Sequence, residues 1–270
     1  MIRTYTFLFL SLLFSFAMIF SGFVSNKGVL PYQNSEVPIE KRVNDLVSRM
    51  TLQEKIRQMD MYRSREFMSD SVTIDTVNAK KILSEGIGAI HDFYPETSEV
   101  SNGLQKFVIS SSRLGIPALF IEEGLHGYQG LNGTDYPVPM GMGSMWDPEL
   151  VYKIGHAIAE EARSVGVHML LSPVLGLSRE LRWGRVQELY GEDTYLVEKN
   201  GCSMVSGMQG NDLTASNTVV SEPKHFGIHS VPQGGLNAAS VHAGVDMQFY
   251  DFDHKTYQMA IENARRNCNS

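Results

Sequence analysis

Apolar residues after position 38 recur at helical spacing in some stretches and form short continuous runs in others. The first stretch predicts a helix from Ile39 to about Met50, and a capping box from Thr51 to Glu54 opens a second helix. Beyond these, the pattern predicts helices at 76–83, 100–113, 148–165 and 194–204 and strands at 88–92, 118–122, 168–174 and 218–221. Strands that alternate with helices indicate a parallel sheet whose faces are covered by helices.

The number of these units bears on the fold class. About four strand–helix units are recognisable, whereas a closed (β/α)8 barrel has about eight. The sequence therefore predicts an α/β fold, which is satisfied either by an incomplete TIM-type barrel or by an open sheet. Polar and charged residues cluster just after the predicted strands. We therefore expect the chemistry at the carboxyl edge of the sheet, where both architectures bind ligands.

The N-terminal segment has the composition of an export signal. Arg3 is followed by an uncharged stretch from Thr4 to Asn26 with a continuously apolar centre, and Lys27 restores charge. Residues 1–26 are expected to be a cleaved signal or an uncleaved anchor, since the stretch approaches the ~20 residues that span a bilayer. A linker at 27–37 follows. The globular part is expected in the periplasm or outside the cell, and it would contact a membrane only through an uncleaved N-terminal segment.

Composition narrows the class of ligand. The 270 residues include 23 Lys and Arg against 30 Asp and Glu, a formal charge of -7, so no basic field exists to hold nucleic acid or anionic lipid. A neutral ligand is expected instead. Cys202 and Cys268 cannot form a disulfide framework or a four-thiolate zinc site. His225 and His229 lack a further ligand at metal-site spacing, and no nucleotide-binding loop occurs, so neither a metal nor a cofactor is predicted.

Two motifs that follow predicted strands carry candidate binding residues. Glu122 and Glu123 end one strand, and only one of them can face a site, because successive side chains of an extended chain point to opposite faces. Lys224 and His225 follow another strand, and both side chains can donate hydrogen bonds to ligand oxygens. These residues suit a ligand that is rich in hydroxyl groups.

The segment 179–193 contains arginines and acids around a tryptophan. Such density costs desolvation energy unless the charges are paired, so most of these groups are expected to form a structural ion-pair network. The members expected in that network are Arg185, Glu188, Glu192 and Asp193. One arginine is left to face a ligand, since a guanidinium offers a planar fork suited to two vicinal hydroxyls or a carboxylate.

Several motifs in order resemble the N-terminal barrel of glycoside hydrolase family 3, from about Val43 to Gly244. They are Met50-Thr51-Leu52-Gln53-Glu54-Lys55, Glu122-Glu123-Gly124-Leu125-His126-Gly127, Trp146-Asp147-Pro148-Glu149-Leu150-Val151, Arg182-Trp183-Gly184-Arg185, Tyr190-Gly191-Glu192-Asp193 and Lys224-His225-Phe226. The resemblance implies an incomplete (β/α)8 barrel domain at 38–244.

The same resemblance implies an activity and a set of sugar contacts. The implied activity is exo-acting removal of a β-linked glucose or xylose from a non-reducing end, with retention of configuration and without a cofactor. Glu123, at a position usually held by aspartate, would bind hydroxyls of the terminal sugar. Arg182, Lys224 and His225 would hold the same ring through its other hydroxyls.

The carboxyl groups that would perform the hydrolysis are not found. Retaining hydrolysis needs a nucleophile and an acid/base about 5 Å apart. The family's nucleophile is an aspartate in a Ser-Asp step after a later strand, whereas Ser69-Asp70 is expected to precede the first strand. The acid/base of the family commonly comes from a second domain. Residues 245–270 resemble a later part of the barrel, which predicts a missing block near Ala243 and Gly244.

Three hypotheses stay open. In the first, the chain is a family 3 glycosidase by descent that binds the terminal sugar without hydrolysing it. In the second, it is a non-catalytic carbohydrate-binding or interaction protein derived from that family. In the third, it is an active enzyme that recruits Asp246, Asp251 or a carboxylate of another chain.

Overall fold

A computed structural model describes residues 29–225 of the chain, except 71, 72, 180 and 182. Contacts divide the chain into two compact units, one up to Met50 and one from Thr51 onward. The predicted export segment at 1–26, the junction near Ala243 and the segment 245–270 lie outside the described residues. Within the described part, no helix is both long enough and apolar enough to cross a bilayer.

The described part of the first unit contains one short turn and one helix. A 3-10 turn at Pro31–Gln33 precedes α1 (Ile39–Arg49), which confirms the first predicted helix. Asp45 on α1 accepts a hydrogen bond from the backbone amide of Tyr32 at 3.2 Å, and the Nε of Arg42 donates to the carbonyl of Tyr32 at 3.1 Å. These contacts fix the turn against the helix.

The described part of the second unit is built on a sheet of five parallel strands. They are β1 (Met61–Arg63), β2 (Ala89–His91), β3 (Leu119–Glu122), β4 (Met169–Leu170) and β5 (Val220–Ser221). Their order in the sheet is the order along the chain, and every neighbouring pair is parallel. This is the topology of consecutive units of a (β/α)8 barrel, so the α/β class and the partial TIM-type barrel are confirmed.

Up to residue 225, six α-helices of this unit connect or flank the strands. They are α2 (Leu52–Arg57), α3 (Thr76–Leu83), α4 (Ser98–Ser111), α5 (Pro139–Ser144), α6 (Pro148–Ser164) and α7 (Thr194–Gln209). The capping box predicted at Thr51 is present, because Thr51 Oγ1 accepts from the amide of Glu54 and Glu54 accepts from the amide of Thr51. Asp147 caps α6 as expected, by accepting from the amide of Leu150 at 3.0 Å.

Two elements were not expected from the pattern. Strand β1 has only three residues and shows no readable period, so the sheet has five strands where about four units were expected. Ser69-Asp70 consequently follows β1, and the expectation that it precedes the first strand is wrong. Helix α5 contains Gly141 and Gly143, which lower helix propensity. Gly143 is required there, since a Cβ at this position would lie 1.9 Å from the carbonyl oxygen of Tyr190.

The two faces of the sheet carry different side chains. Tyr62, Ile90 and Phe120 belong to a buried cluster that also contains Leu83 of α3 and Leu104 of α4. This is the helix-covered face. The alternate positions form a second cluster on the opposite face, which we call the inner face: Met61, Ala89, Ile121 and Leu171.

Candidate functional site

The two adjacent carboxylates at the end of β3 have opposite surroundings. Glu122 shares the parity of Phe120 and is fully buried, with 0% of its surface exposed. Glu123 follows Ile121 in the alternation and keeps 21% of its side chain exposed. The alternation rule therefore assigns Glu123 to the inner face, as expected for a residue that faces a site.

Glu123 is paired with Lys224 across the sheet. Lys224 Nζ lies 2.8 Å from Oε1 and 2.6 Å from Oε2 of Glu123, and the lysine side chain is 10% exposed. The backbone of Lys224 is held beside the segment after β4, since its amide donates to the carbonyl of Pro173 and its carbonyl accepts from Leu175, both at 2.8 Å. Two sequence-predicted residues thus meet at the carboxyl edge.

Of the other two residues that were predicted to contact the sugar, the structure describes only His225. His225 follows Lys224 directly and is half-buried. Arg182 lies outside the described residues. Glu222, two residues before Lys224, is exposed, and its pKa is raised by partial desolvation and by the charge of Glu123, while Lys224 acts in the opposite direction. Glu222 is therefore a further carboxyl group within electrostatic reach of the Glu123–Lys224 pair.

The buried Glu122 anchors the chain that follows β2. Its Oε1 accepts hydrogen bonds from the amides of Phe93 at 2.9 Å and Tyr94 at 3.0 Å. Burial raises the pKa of Glu122 to about 8, and the two amides only partly offset this shift. Its Oε2 lies 3.7 Å from His91 Nδ1 and has no hydrogen-bond partner among the residues that the structure describes. At neutral pH this carboxyl group is therefore mainly protonated.

A polar group that sequence reasoning missed lies at the ends of β1 and β2. His91 Nε2 is 3.1 Å from Asp92 Oδ1, and Arg63 Nε is 3.6 Å from Asp92 Oδ2. His91 Nδ1 also contacts the carbonyl oxygen of Ile121 at 2.7 Å. The signal was available, since His91 and Asp92 end a predicted strand just as Glu122 and Glu123 do.

In the described part of the charged segment 179–193, the four residues expected in one ion-pair network make different contacts. Arg185 pairs with Glu188 through two hydrogen bonds of 2.7 Å each. Asp193 instead caps α7, by accepting from the amide of Leu196 at 2.8 Å, and Glu192 is exposed. The pKa of Arg185 is raised first by Glu188 and also by Glu123, so this guanidinium lies within electrostatic reach of the site.

The arrangement offers both signs of charge but no metal-binding cluster in the described part. Among those residues, no three His, Cys, Asp or Glu side chains are grouped so that they could hold a metal ion. The carboxylate of Glu123 accepts hydrogen bonds and the ammonium of Lys224 donates them, and both lie at the carboxyl edge. Such a paired acceptor and donor suits neighbouring hydroxyl groups of a neutral ligand.

Comparison with known proteins identifies the class that this fold and site define. The glycosyl hydrolase family 3 N terminal domain matches residues 51–267, which is most of the chain. The chain therefore belongs to glycosyl hydrolase family 3. The match begins at Thr51, where the second compact unit begins.

Similar proteins act on β-linked sugars according to their names. A putative beta-xylosidase of Formosa agariphila is 30% identical over 244 residues, covering 87% of this chain and 32% of the relative. A periplasmic beta-glucosidase of Salmonella typhimurium is 32% identical over 215 residues, covering 78% of this chain and 26% of the relative. The chain thus spans about a quarter to a third of the length of these relatives.

Solved structures show the same fold. A β-glucosidase from Erythrobacter marinus superposes with a TM-score of 0.66 at 30% identity, over 77% of this chain and 28% of that one. A mutant β-glucosidase from Listeria innocua in complex with laminaribiose gives a TM-score of 0.63 at 28% identity, over 83% of this chain and 31% of that one.

Proposed function

We propose that this chain binds the terminal sugar of a β-linked glucoside or xyloside at the carboxyl edge of its sheet, through Glu123, Lys224, His225 and Arg182. Members of the family with the whole catalytic machinery would hydrolyse such a bond with retention of configuration, from the non-reducing end. In this chain we propose binding without turnover. Two relatives are named as periplasmic enzymes, which supports an exported location for this chain.

The observation that carries the proposal is the contact between Glu123 and Lys224. The two residues are 101 positions apart, yet their side chains form two hydrogen bonds at the edge where barrels bind ligands. Each side chain orients the other, so a sugar meets an acceptor and a donor already in place. Because the opposite charges balance, a neutral polyol is favoured over an ionic ligand.

The proposal of binding without turnover rests on the state of the carboxyl groups near the site. A retaining mechanism needs one ionised nucleophile and one acid about 5 Å apart. Glu122 is buried on the helix-covered face, and Glu123 is held by Lys224. Ser69-Asp70 follows β1, whereas the resemblance associates the nucleophile with a later strand. Neither Glu122 nor Glu123 is therefore available to attack an anomeric carbon.

Two measurements on the purified full chain test the proposal. We expect glucose or xylose to raise the melting temperature, because a ligand that binds only the folded state stabilises it. We expect no release of nitrophenol from p-nitrophenyl β-glucoside or β-xyloside. His225→Ala should abolish the rise in melting temperature, whereas His156→Ala, at a half-buried histidine on α6, should preserve it.

The outcomes separate the hypotheses. Clear turnover of either nitrophenyl glycoside would refute the absence of catalysis while leaving the sugar site intact. A melting temperature that neither sugar changes would refute the sugar site itself. A ligand-dependent rise without turnover would support a carbohydrate-binding role.

A further inference from the structure

The segment directly after β2 has a backbone that few residue types adopt. Asp92 has a φ of 55° and Tyr94 a φ of 43°, and neither is glycine. The left-handed region is unfavourable for residues with a Cβ, so surrounding contacts must hold this conformation. The left-handed turn at Asp92 also interrupts the alternation of side chains. His91 and Asp92 can therefore contact each other although they are consecutive.

Glu122 supplies two of the contacts that hold this backbone, and Ser64 Oγ supplies another by donating to the carbonyl of Asp92. Glu122 Oε1 accepts from the amides of Phe93 and Tyr94, the two residues that follow Asp92. The side chain is fully buried and shares the parity of the helix-covered face, so it does not contact a ligand on the inner face. Its structural effect is to fix the path of the chain on either side of Phe93.

His91 fixes the carboxylate of Asp92 itself. The contact of His91 Nδ1 with the carbonyl of Ile121 at 2.7 Å requires a proton on Nδ1, because a carbonyl oxygen can only accept. This hydrogen bond sets the ring orientation and places Nε2 3.1 Å from Asp92 Oδ1, where it donates to the carboxylate when the ring carries a proton on both nitrogens. Arg63 approaches the other oxygen at 3.6 Å, yet 29% of the Asp92 side chain remains exposed.

Asp92 lies on the same side of the sheet as Glu123. Its carboxylate contacts Arg63 and His91, which continue the rows of Met61 and Ala89 on the inner face. Strands β2 and β3 are paired neighbours, and such strands are about 4.8 Å apart. Asp92 and Glu123 therefore follow neighbouring strands at the same edge of the sheet.

We propose that Asp92 is a further ligand-contacting residue of this site, where its carboxylate accepts hydrogen bonds from hydroxyls of the second sugar unit of a β-linked disaccharide. Glu122 and His91 are positioning residues that hold it there. The inference rests on the proposed function, because it extends the same site from β3 toward β1. Glu123 and Lys224 meet after β3 and β5, whereas Asp92 follows β2, so a ligand that reaches both positions extends along the edge of the sheet beyond one ring.

The charges around Glu123 and Asp92 favour the same class of ligand. Lys224 balances Glu123, and Arg63 stands beside Asp92, so each carboxylate has a cation close to it. A site with balanced charges has little attraction for an ionic ligand and retains directional hydrogen bonding for hydroxyls.

The test compares glucose with laminaribiose, a β-linked glucose disaccharide, by calorimetric titration of the full chain. Asp92→Asn should weaken laminaribiose binding about tenfold, because the new amide group faces Arg63 and one acceptor is lost, and glucose affinity should stay within about twofold. Glu96→Gln removes an exposed carboxylate from the same loop and is the matched control, for which both affinities should be unchanged.

A second pair of variants tests the positioning residue. Glu122→Ala removes the acceptor for two amides and should weaken laminaribiose binding selectively, whereas Glu122→Gln keeps an acceptor and should restore it. A general loss of folding would instead lower both sugar affinities together. If Glu122→Ala does not fold, the comparison of Asp92→Asn with Glu96→Gln still decides the proposal.

The failures are distinguishable. If Glu123→Ala abolishes glucose binding while Asp92→Asn leaves laminaribiose binding unchanged, the role of Asp92 is overturned and the proposed function stands. An equal loss of both sugars in Asp92→Asn would also overturn it, since the second unit would not be the one contacted. If the unsubstituted chain binds neither sugar, both proposals fall.

Discussion

The Nζ of Lys224 lies 2.6 Å from the Oε2 of Glu123, although the two residues are 101 positions apart in the sequence. The pair joins the segment after β5 to the end of β3 and passes over the edge of β4. It therefore couples the integrity of the candidate site to the packing of three strands. This coupling makes the pair measurable by stability as well as by ligand binding.

Lys224→Met should lower the free energy of unfolding by roughly 1–3 kcal/mol, because Glu123 then remains partly buried without its partner. Adding Glu123→Gln should cost less than the sum of the two single effects, which urea denaturation of the four variants would show. Lys153→Met removes a lysine whose partner Glu149 is well exposed, and it should leave stability unchanged. Strict additivity at Glu123 and Lys224 would contradict the pairing.

Glu122→Gln should make the stability of the chain less dependent on pH. The folded-state pKa of Glu122 is raised to about 8 from its ordinary 4.5, so between these values the folded chain holds a proton that the unfolded chain releases. The free energy of unfolding of the unsubstituted chain should therefore fall as pH rises from about 4.5 to about 8. The whole decrease should be about 4 kcal/mol at most. Denaturation curves at about pH 5 and about pH 9 would measure this loss, and an equal loss in Glu122→Gln would refute it.

His168 should contribute a pH dependence of the opposite sign. Its Nδ1 accepts a hydrogen bond from the amide of Phe120 at 2.9 Å, which only a ring unprotonated at Nδ1 can do. Burial, with a smaller contribution from Arg163, lowers the pKa of His168 below 6.5. Stability should thus decrease as pH falls below about 6.5, because the unfolded chain takes up the proton first. His168→Asn keeps an acceptor, and in the Glu122→Gln background it should remove this acid-side decrease.

Asp193→Ala should destabilise the chain by about 1 kcal/mol, the typical effect of losing a helix N-cap. Asp193→Asn should retain most of the stability, since an amide oxygen can also accept from the amide of Leu196. Glu192→Ala, at the exposed neighbouring residue, is the control and should change thermal stability little. A large loss in Asp193→Asn would show that the charge of Asp193, and hence an ion pair, is what stabilises this segment.

Gly207→Ala should destabilise the chain by roughly 1–3 kcal/mol, because the added Cβ on α7 would lie 2.2 Å from the carbonyl oxygen of Tyr152 on α6. Gly103→Ala on α4 is the matched control. No atom lies within 4 Å of its added Cβ, so the substitution should raise stability by about 0.5–1 kcal/mol through helix propensity. Thermal unfolding of the two variants would show opposite shifts, and shifts of the same sign would contradict the close approach of the two helices.

Local signals made much of the fold predictable. The helix expected at 76–83 is α3, and the caps at Thr51 and Asp147 are present, because a cap depends on residues within a single turn. Strand β1 was not predicted, because three residues are too few to show the alternation of a strand. The helix expected at 194–204 extends to Gln209, because nothing in its sequence marks the end before Gly210.

The sequence predicted those residues of the candidate site that belong to a short motif or follow from the alternation of side chains along a strand. The sequence named Glu123 and Lys224, and the alternation rule required that Glu122 and Glu123 face opposite sides. It did not indicate that Glu122 holds the backbone after β2, or that His91 and Arg63 converge on Asp92. These contacts join different strands, so no local pattern contains them.

By itself, the sequence determined the alternation of strands and helices, the caps and the membership in a family of glycosidases. Those properties follow from periodicity and short motifs, each of which is a property of neighbouring residues. Only the tertiary structure decided that Glu122 is buried and mainly protonated, and that Glu123 is paired with Lys224. Burial and ion pairing depend on which distant segments pack together, and this is fixed by the parallel pairing of the five strands.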